Sequence, residues 1–201
     1  WYVSNQGTDD IGYGSEENPF ASIQYAIDNA VDGDEIYVYS GTYEESVSFQ
    51  GKNISVTSIS GPENTIISAN NSGVCVSIES PDYESDNIAA ILDGFTLTDG
   101  FSDNAGGGLY IYRQSVILSN LIVIDNNTNG NGAGIYIADA NVMMDNITVS
   151  SNIGLNDDQD SSGGGVAVFG NSTVTIDNSI ISDNSAVYCP GILSTNIASS
   201  T

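Results

Sequence analysis

The chain has no histidine and only two basic side chains, Lys52 and Arg113, against 26 acidic ones, so its formal net charge at pH 7 is −24 over 201 residues. Without histidine there can be no Ser-His-Asp triad, no Cys-His dyad and no imidazole-ligated metal. A nucleic-acid binder displaces counterions from phosphate with clustered Lys and Arg, which two isolated basic residues cannot do. DNA, RNA and anionic membrane surfaces are therefore not expected partners. No apolar run approaches the roughly 20 residues of a membrane span. The N-terminus lacks the basic and apolar regions of a signal peptide, so the sequence reads as a mature or trimmed chain, with any membrane anchor lying outside it. Two cysteines, Cys75 and Cys189, do not define a redox compartment.

What is present is β-like. The 40% hydrophobic content can supply a core, Ile and Val far outnumber Leu, and Asn, Ser and Gly are abundant. That composition favours strands and turns over helix, and predicts an all-β fold. The length suits one domain, or a slice of a longer repetitive protein. Low Lys with high acidity accompanies secretion or salty surroundings, so the expected location is secreted or at the cell surface.

Internal periodicity decides the fold. The segments beginning at Asp93, Ser119, Asp145 and Asp177 superimpose without gaps, for example Ser119-Asn-Leu-Ile-Val-Ile-Asp-Asn on Asp145-Asn-Ile-Thr-Val-Ser-Ser-Asn, with starts 26, 26 and 32 residues apart. The pairs Gly108-Leu109, Gly134-Ile135, Gly165-Val166 and Gly191-Ile192 follow at 26, 31 and 26. The extra residues fall in one acidic insertion near 156–162. Each unit reads as three short strands, such as Leu109 to Tyr112, Val116 to Leu118 and Leu121 to Ile124, separated by Gly, Asn or Ser turns. Three strands per 26 residues predict one coil of a right-handed parallel β-helix, with equivalent residues stacked ~4.8 Å apart along the axis.

Alternation across a strand then assigns the columns. Leu109, Ile135, Val166 and Ile192 point inward, as do Ile111, Ile137 and Val168, and Phe95, Leu121 and Ile147 continue the core on another face. Asn120, Asn146 and Asn178 stack at one turn and Asn126, Asn152 and Asn184 at the next, as two ladders of buried amides rather than a polar binding row. Phe20, Ile23, Ala26, Ile27 and Ala30 lie at helical spacing after Pro19, which predicts a capping helix over 19–31. The expected organisation is a single β-helix domain over 1–201, with 1–33 as the cap and 34–201 as coils. Ser194 to Thr201 shows no comparable plug, and the chain reads as though another coil or another subunit should follow.

The stretch from Asn18 to Glu45, with Asn-Pro-Phe-Ala-Ser-Ile-Gln, Asp32-Gly-Asp-Glu-Ile-Tyr-Val-Tyr and Ser40-Gly-Thr-Tyr-Glu-Glu, resembles the opening region of secreted bacterial proteins of the pectate-lyase-like superfamily. Gly106-Gly-Gly-Leu, Gly132-Ala-Gly-Ile and Gly163-Gly-Gly-Val are similar to repeats of bacterial surface proteins, including polymorphic outer-membrane proteins. The resemblance implies the β-helix fold strongly and an activity weakly, because such folds host lyases, hydrolases and adhesins.

Lyases of that superfamily use an Arg or Lys base, often with Ca²⁺. Here only Arg113, at a strand end after Tyr112, and Lys52, in the turn Gln-Gly-Lys-Asn, match that role. The hydrolases add a His and a basic pair that this chain lacks. Asp99 and Asp125 are 26 residues apart and equivalent, as are Asp145 and Asp177 across the insertion. Outward-facing pairs would sit roughly 5 Å apart, compatible with a two-carboxylate glycosidase or with plain solvated turn acids. Asp157, Asp158 and Asp160 in the insertion could cage Ca²⁺ or form a simple acidic loop. Asp9-Asp10, Asp32, Asp34 and Glu44-Glu45 read as turn residues.

Ile36-Tyr-Val-Tyr recurs as Leu109-Tyr-Ile-Tyr and Ile135-Tyr-Ile-Ala, and Val166-Ala-Val-Phe follows. Inward Ile and Val leave Tyr37, Tyr39, Tyr110, Tyr112, Tyr136 and Phe169 on one outer stripe, fit to stack on sugars or to pack against another subunit. The pattern places Cys75 beside Tyr110 on that face. Four coils, ~19 Å, separate it from Cys189, too far for an intrachain disulfide. The expected function is a structural or adhesive β-helix module, with like subunits or cell-surface polysaccharide as partners and no required cofactor beyond possible use of Ca²⁺. The alternative is a carbohydrate-active enzyme, lyase or glycoside hydrolase, built on Arg113 or on the acid pairs.

Overall fold

A computed structural model describes residues 1–81, 89–155 and 162–195. These hold twenty β-strands and one α-helix, and every strand pairing among them is parallel. The chain coils as an all-β, right-handed parallel β-helix. The 26-residue repeat appears directly as register: Leu109 pairs with Ile135, and Leu121 with Ile147. Across the insertion Ile135 pairs with Val166, so the added residues leave the coil without shifting its strands.

Three sheets run along the axis. The second contains Val47–Ser48, Val76–Glu79, Leu109–Tyr112, Ile135–Ala138, Val166–Phe169 and Ile192–Thr195. The third is narrow, made of Phe101–Ser102, Asn127–Thr128 and Ile153–Gly154. The first sheet joins two of the expected columns. Val116–Leu118 and Leu121–Ile124 are one strand, Val116–Ile124, bent at Asn120, and Asn141–Ser150 bends likewise at Asn146. Both bends use left-handed backbone, φ 51° and 56°, which Asn adopts at lower cost than most residues because its short amide can bond locally.

The inward columns hold as expected. Leu109, Ile135 and Val166 have no exposed surface, and the Ile111, Ile137, Val168 and Phe95, Leu121, Ile147 columns are buried. Ile192, on the last described coil, is 48% exposed because no described strand stacks beyond it. Glycine precedes three of the anchors for want of space: a Cβ on Gly108 would meet Val123 Cγ1 at 2.6 Å and Gly134 O at 2.7 Å, and Gly134 and Gly165 are crowded alike, whereas a Cβ on Gly191, on the last described coil, would meet nothing within 4 Å. The two asparagine rows differ. Asn126 and Asn152 are fully buried, as predicted. Asn120, Asn146 and Asn178 are exposed, bonded to Asp93, Asn120 and Asp145, so that row is a surface ladder.

The cap helix is shorter than its periodicity suggests, Ile23–Asn29, because Phe20 bridges Val3 in extended backbone and Ser22 is the N-cap. Its start is held by Asp9 and Glu45, which are more than turn acids. Asp9 accepts from Ala21 N–H at 2.7 Å and Ser22 N–H at 3.1 Å, and Glu45 accepts from Ile23 N–H and Gln24 N–H at 2.8 and 2.9 Å. The N–H groups of Ser22, Ile23 and Gln24 at the helix start, and of Ala21 before it, thus gain charged acceptors, and the Tyr25 N–H donates to Ser22 Oγ. At the other end Lys52 Nζ donates to Ile27 O at 2.6 Å and Asp28 O at 3.3 Å, capping the helix C-terminus. No helix among the described residues is long and apolar enough to cross a membrane.

Candidate functional site

The register divides the expected aromatic stripe into two patches. Tyr37 belongs to the first sheet, where it pairs with Tyr2 and Thr57, Tyr39 follows just past the end of that strand, and their rings gather around Tyr2 at 5.5 and 6.3 Å. Tyr110, Tyr112, Tyr136 and Phe169 lie on the second sheet. Alternating Ile-Tyr-Val-Tyr fits any strand with one buried face, so the likeness of the two segments carried no information about which sheet each joins.

On the second sheet, Tyr136 stacks on Tyr110 at 5.3 Å with planes 7° apart, and Phe169 lies 5.5 Å from Tyr136. Ala138 and Ala167 are buried there. The rings therefore face one another along the axis, and most of their flat surface is already used. Tyr110 ends the ladder. Its neighbour on the side away from Tyr136 is Ser77, whose small side chain leaves one tyrosine face open among the described residues.

That face borders a groove of about 510 Å³, lined by Ser46, Ser48, Ser77, Ser102, Asn104 and Glu79 as well as Tyr110. Its volume is in the range of small-molecule sites. Ser48, Ser77 and Tyr110 occupy the same outward position in successive coils. Sequence reasoning missed the groove, although Val47-Ser-Phe and Val76-Ser-Ile are the same inward-outward-inward pattern as Leu109-Tyr-Ile with serine at the outward place.

Cys75 is corrected. Val76 pairs with Leu109, so Cys75 takes the position of Gly108, and Ser77 that of Tyr110. Its side chain is buried, with Sγ donating to Thr98 O at 3.0 Å and lying 3.4 Å from Asn126 Oδ1, and burial pushes its pKa up to about 12. Cys75 and the exposed Cys189 are both free thiols.

The other candidates have structural explanations. Asp99 and Asp125 hold the same left-handed turn in adjacent coils, φ 55° and 56°, with Ser151 and Asp183 continuing it at 56°. Asp99 accepts from Ser68 Oγ at 2.9 Å. Asp145 pairs in register with Asp177, as expected, and is bonded by Asn178 Nδ2 at 2.7 Å. Arg113 also turns in left-handed backbone, at φ 55°, and its guanidinium lies 4.6 Å from the centre of the Tyr112 ring. Among the described residues no group of three or more acidic or thiol ligands could hold a metal. Asp157, Asp158 and Asp160 lie outside the described residues. Asp34 is held below the usual carboxylate range, first by the Trp1 indole N–H, 2.8 Å away, and then by the Val31 N–H.

Parallel coils, stacked inward columns and a buried amide row define a solenoid whose outward positions are free to vary. Residues 99–200 match the family model described as a right-handed β-helix region. That is half of the chain, and the chain belongs to this family. No curated protein and no solved structure matches it.

Proposed function

We propose that the chain is a secreted or cell-surface adhesive module that holds carbohydrate in the groove beside Tyr110 and does no chemistry on it. One observation carries this reading: the open face of Tyr110 adjoins a groove whose described walls combine serines, Asn104 and Glu79 with the apolar Val47, Val74 and Ala105. Sugar rings present an apolar face that stacks on an aromatic ring and a hydroxyl rim that hydrogen-bonds, and this groove offers a partner to each. The likeness to surface-protein repeats and to the pectate-lyase-like superfamily fits the same reading. Neither Ca²⁺ nor another cofactor is needed for it. The Tyr2, Tyr37 and Tyr39 patch on the first sheet is the corresponding support for contact with like subunits.

The enzymatic alternative has less behind it. Lys52 is tied to the helix it caps, Arg113 is stacked on Tyr112, and Asp99 and Asp125 are explained by the turn they occupy. Calorimetric titration of a panel of neutral and charged oligosaccharides tests the proposal. Binding that weakens by roughly tenfold or more in Tyr110→Ala is expected, a loss typical of a buried aromatic anchor. Unsaturated or reducing products released from acidic polysaccharide, and abolished by Arg113→Ala or Asp125→Asn, would overturn the non-catalytic reading. A panel that binds nowhere would overturn the groove.

A further inference from the structure

Among the described residues that line the groove beside Tyr110, one side chain is charged: Glu79, at the end of strand Val76–Glu79. Glu79 is exposed, and among the described residues its carboxylate has no hydrogen-bond or ion-pair partner. A ligand that closes over it takes it out of water, which costs free energy unless a donor or an opposite charge comes with the ligand. The protein has two side-chain cations to offer, and both are used elsewhere. Lys52 Nζ sits on Ile27 O and Asp28 O, and Arg113 lies over Tyr112. Neither lines the groove.

The remaining polar groups are suited to a donor-rich ligand. The hydroxyls of Ser46 and Ser77 can each accept as well as donate, Ser48 Oγ keeps one acceptor site beside the Gln50 N–H, and Ser102 Oγ, which accepts from Asn104 N–H and Ala105 N–H, is left to donate. A protonated primary amine has three N–H donors and no acceptor, so it is satisfied by one carboxylate and neighbouring hydroxyl oxygens. The open face of Tyr110 attracts either the apolar face of a sugar ring or a cation. Burial, and after it the neighbouring Tyr136 and Glu79, raises the Tyr110 hydroxyl above its ordinary range and keeps the ring neutral. The net charge of −24 draws cations towards the surface and repels polyuronates.

The geometry points to a glycan bearing protonated primary amines as the ligand of this groove, with Glu79 as counter-ion to the amine and Tyr110 as the stacking platform for its ring. This assignment rests on the reading of the groove as a glycan site. Amine recognition is local to Glu79, whereas the general attraction of a polyanion for cations is spread over the surface and screened by salt.

The experiment compares a glucosamine tetramer, its fully N-acetylated counterpart and tetralysine by calorimetry at physiological salt, against the wild-type chain, Glu79→Gln and Tyr110→Ala. The expected result is that the amine tetramer binds roughly tenfold tighter than the acetylated one, the scale of one charge-assisted hydrogen bond. Glu79→Gln removes that preference and leaves the acetylated tetramer within about twofold, while Tyr110→Ala weakens both sugars, because only the platform is common to them. Equal affinity for the two tetramers, or a preference that survives Glu79→Gln, overturns the amine assignment and leaves the glycan site standing. Tetralysine binding as tightly as the amine tetramer, with no loss in Tyr110→Ala, also overturns it, as attraction to the acidic surface alone. If neither tetramer binds, the amine assignment falls, and the glycan reading falls with it only when the wider oligosaccharide panel is silent too.

Discussion

Asn126 donates its side-chain amide to Asn152 Oδ1 at 3.0 Å in the interior of the solenoid, where neither residue has exposed surface. Asn152 repeats the contact with Asn184 Oδ1 at 2.9 Å. The amide also ties its coil to the one before: Asn126 Oδ1 accepts from Gly100 N–H and Nδ2 donates to Leu97 O there, as well as to Ile124 O in its own turn. Asn126→Ala strands several of these groups where no water reaches, so the expected loss is roughly 3 kcal/mol or more, about 6–12 °C in melting temperature. Asn120 bonds to Asp93 and Asn146 in the same lateral manner, but in solvent and at φ 51°. Asn120→Gly keeps the backbone conformation and should cost within about 1 kcal/mol. Thermal and urea unfolding of the two variants checks the difference, and equal losses would show that burial is not what gives the inner ladder its weight.

The two thiols should react as differently as their surroundings. Cys75 is buried with a pKa raised to about 12, and Cys189 is exposed. Because the thiolate is the reactive form, a thiol-specific reagent at pH 8 should label one cysteine per native chain and two per denatured chain. Peptide mapping should place the native label at Cys189. Rapid labelling of Cys75 under native conditions would contradict its place inside the coil.

Glu45 gives the cap helix a definite response to pH. Burial raises its pKa above the ordinary 4.5, outweighing the Gln24 and Ile23 N–H groups that act the other way. The folded state then binds this proton more tightly than the unfolded chain does. Its contribution to stability is fully present below the ordinary value and is lost as pH rises through the raised one. The stability difference between wild type and Glu45→Gln should therefore shift in favour of wild type as pH falls from 7 to 4. The comparison with the variant removes the general relief of acidic repulsion, which both proteins share. A difference independent of pH would mean that Glu45 titrates alike in the folded and unfolded chain.

The parts of the fold legible in sequence are those that repeat. From Leu109 onward the coils return after 26, 31 and 26 residues, each marked by a glycine, and alternation gave the buried faces correctly. The first coils have no such marker. Val47 to Val76 is 29 residues and Val76 to Leu109 is 33, and at the glycine position before Val76 stands Cys75. The groove is built from those irregular coils, so Ser48 and Ser77 could be matched to Tyr110 only through the hydrogen-bonded register. The Glu45 clamp was hidden for a related reason: it reaches back 21 and 22 residues to backbone N–H groups, which carry no side-chain signature. Asp99 and Asp125 stood out in sequence because left-handed turns favour Asp and Asn, and that backbone demand explains their spacing without chemistry.

The stacked rings imply a graded effect along the second sheet. Tyr136 covers one face of Tyr110 beside the groove, while the Phe169 ring packs on Tyr136, one ring further from the groove. Removing Tyr136 leaves the platform in place but frees its rotamers, so the ligand must order a mobile ring on binding. An aromatic pair contributes about 0.5–1.5 kcal/mol beyond burial, so Tyr136→Ala should weaken binding by roughly two- to tenfold, less than Tyr110→Ala. Phe169→Ala should change it by less than about twofold, and Tyr37→Ala, on the other sheet, not at all. Calorimetry with the ligand that binds wild type most tightly checks this order. Equal losses from Tyr37→Ala and Tyr110→Ala would instead make both aromatic patches one extended binding surface, reached by a ligand long enough to wrap from one sheet to the next.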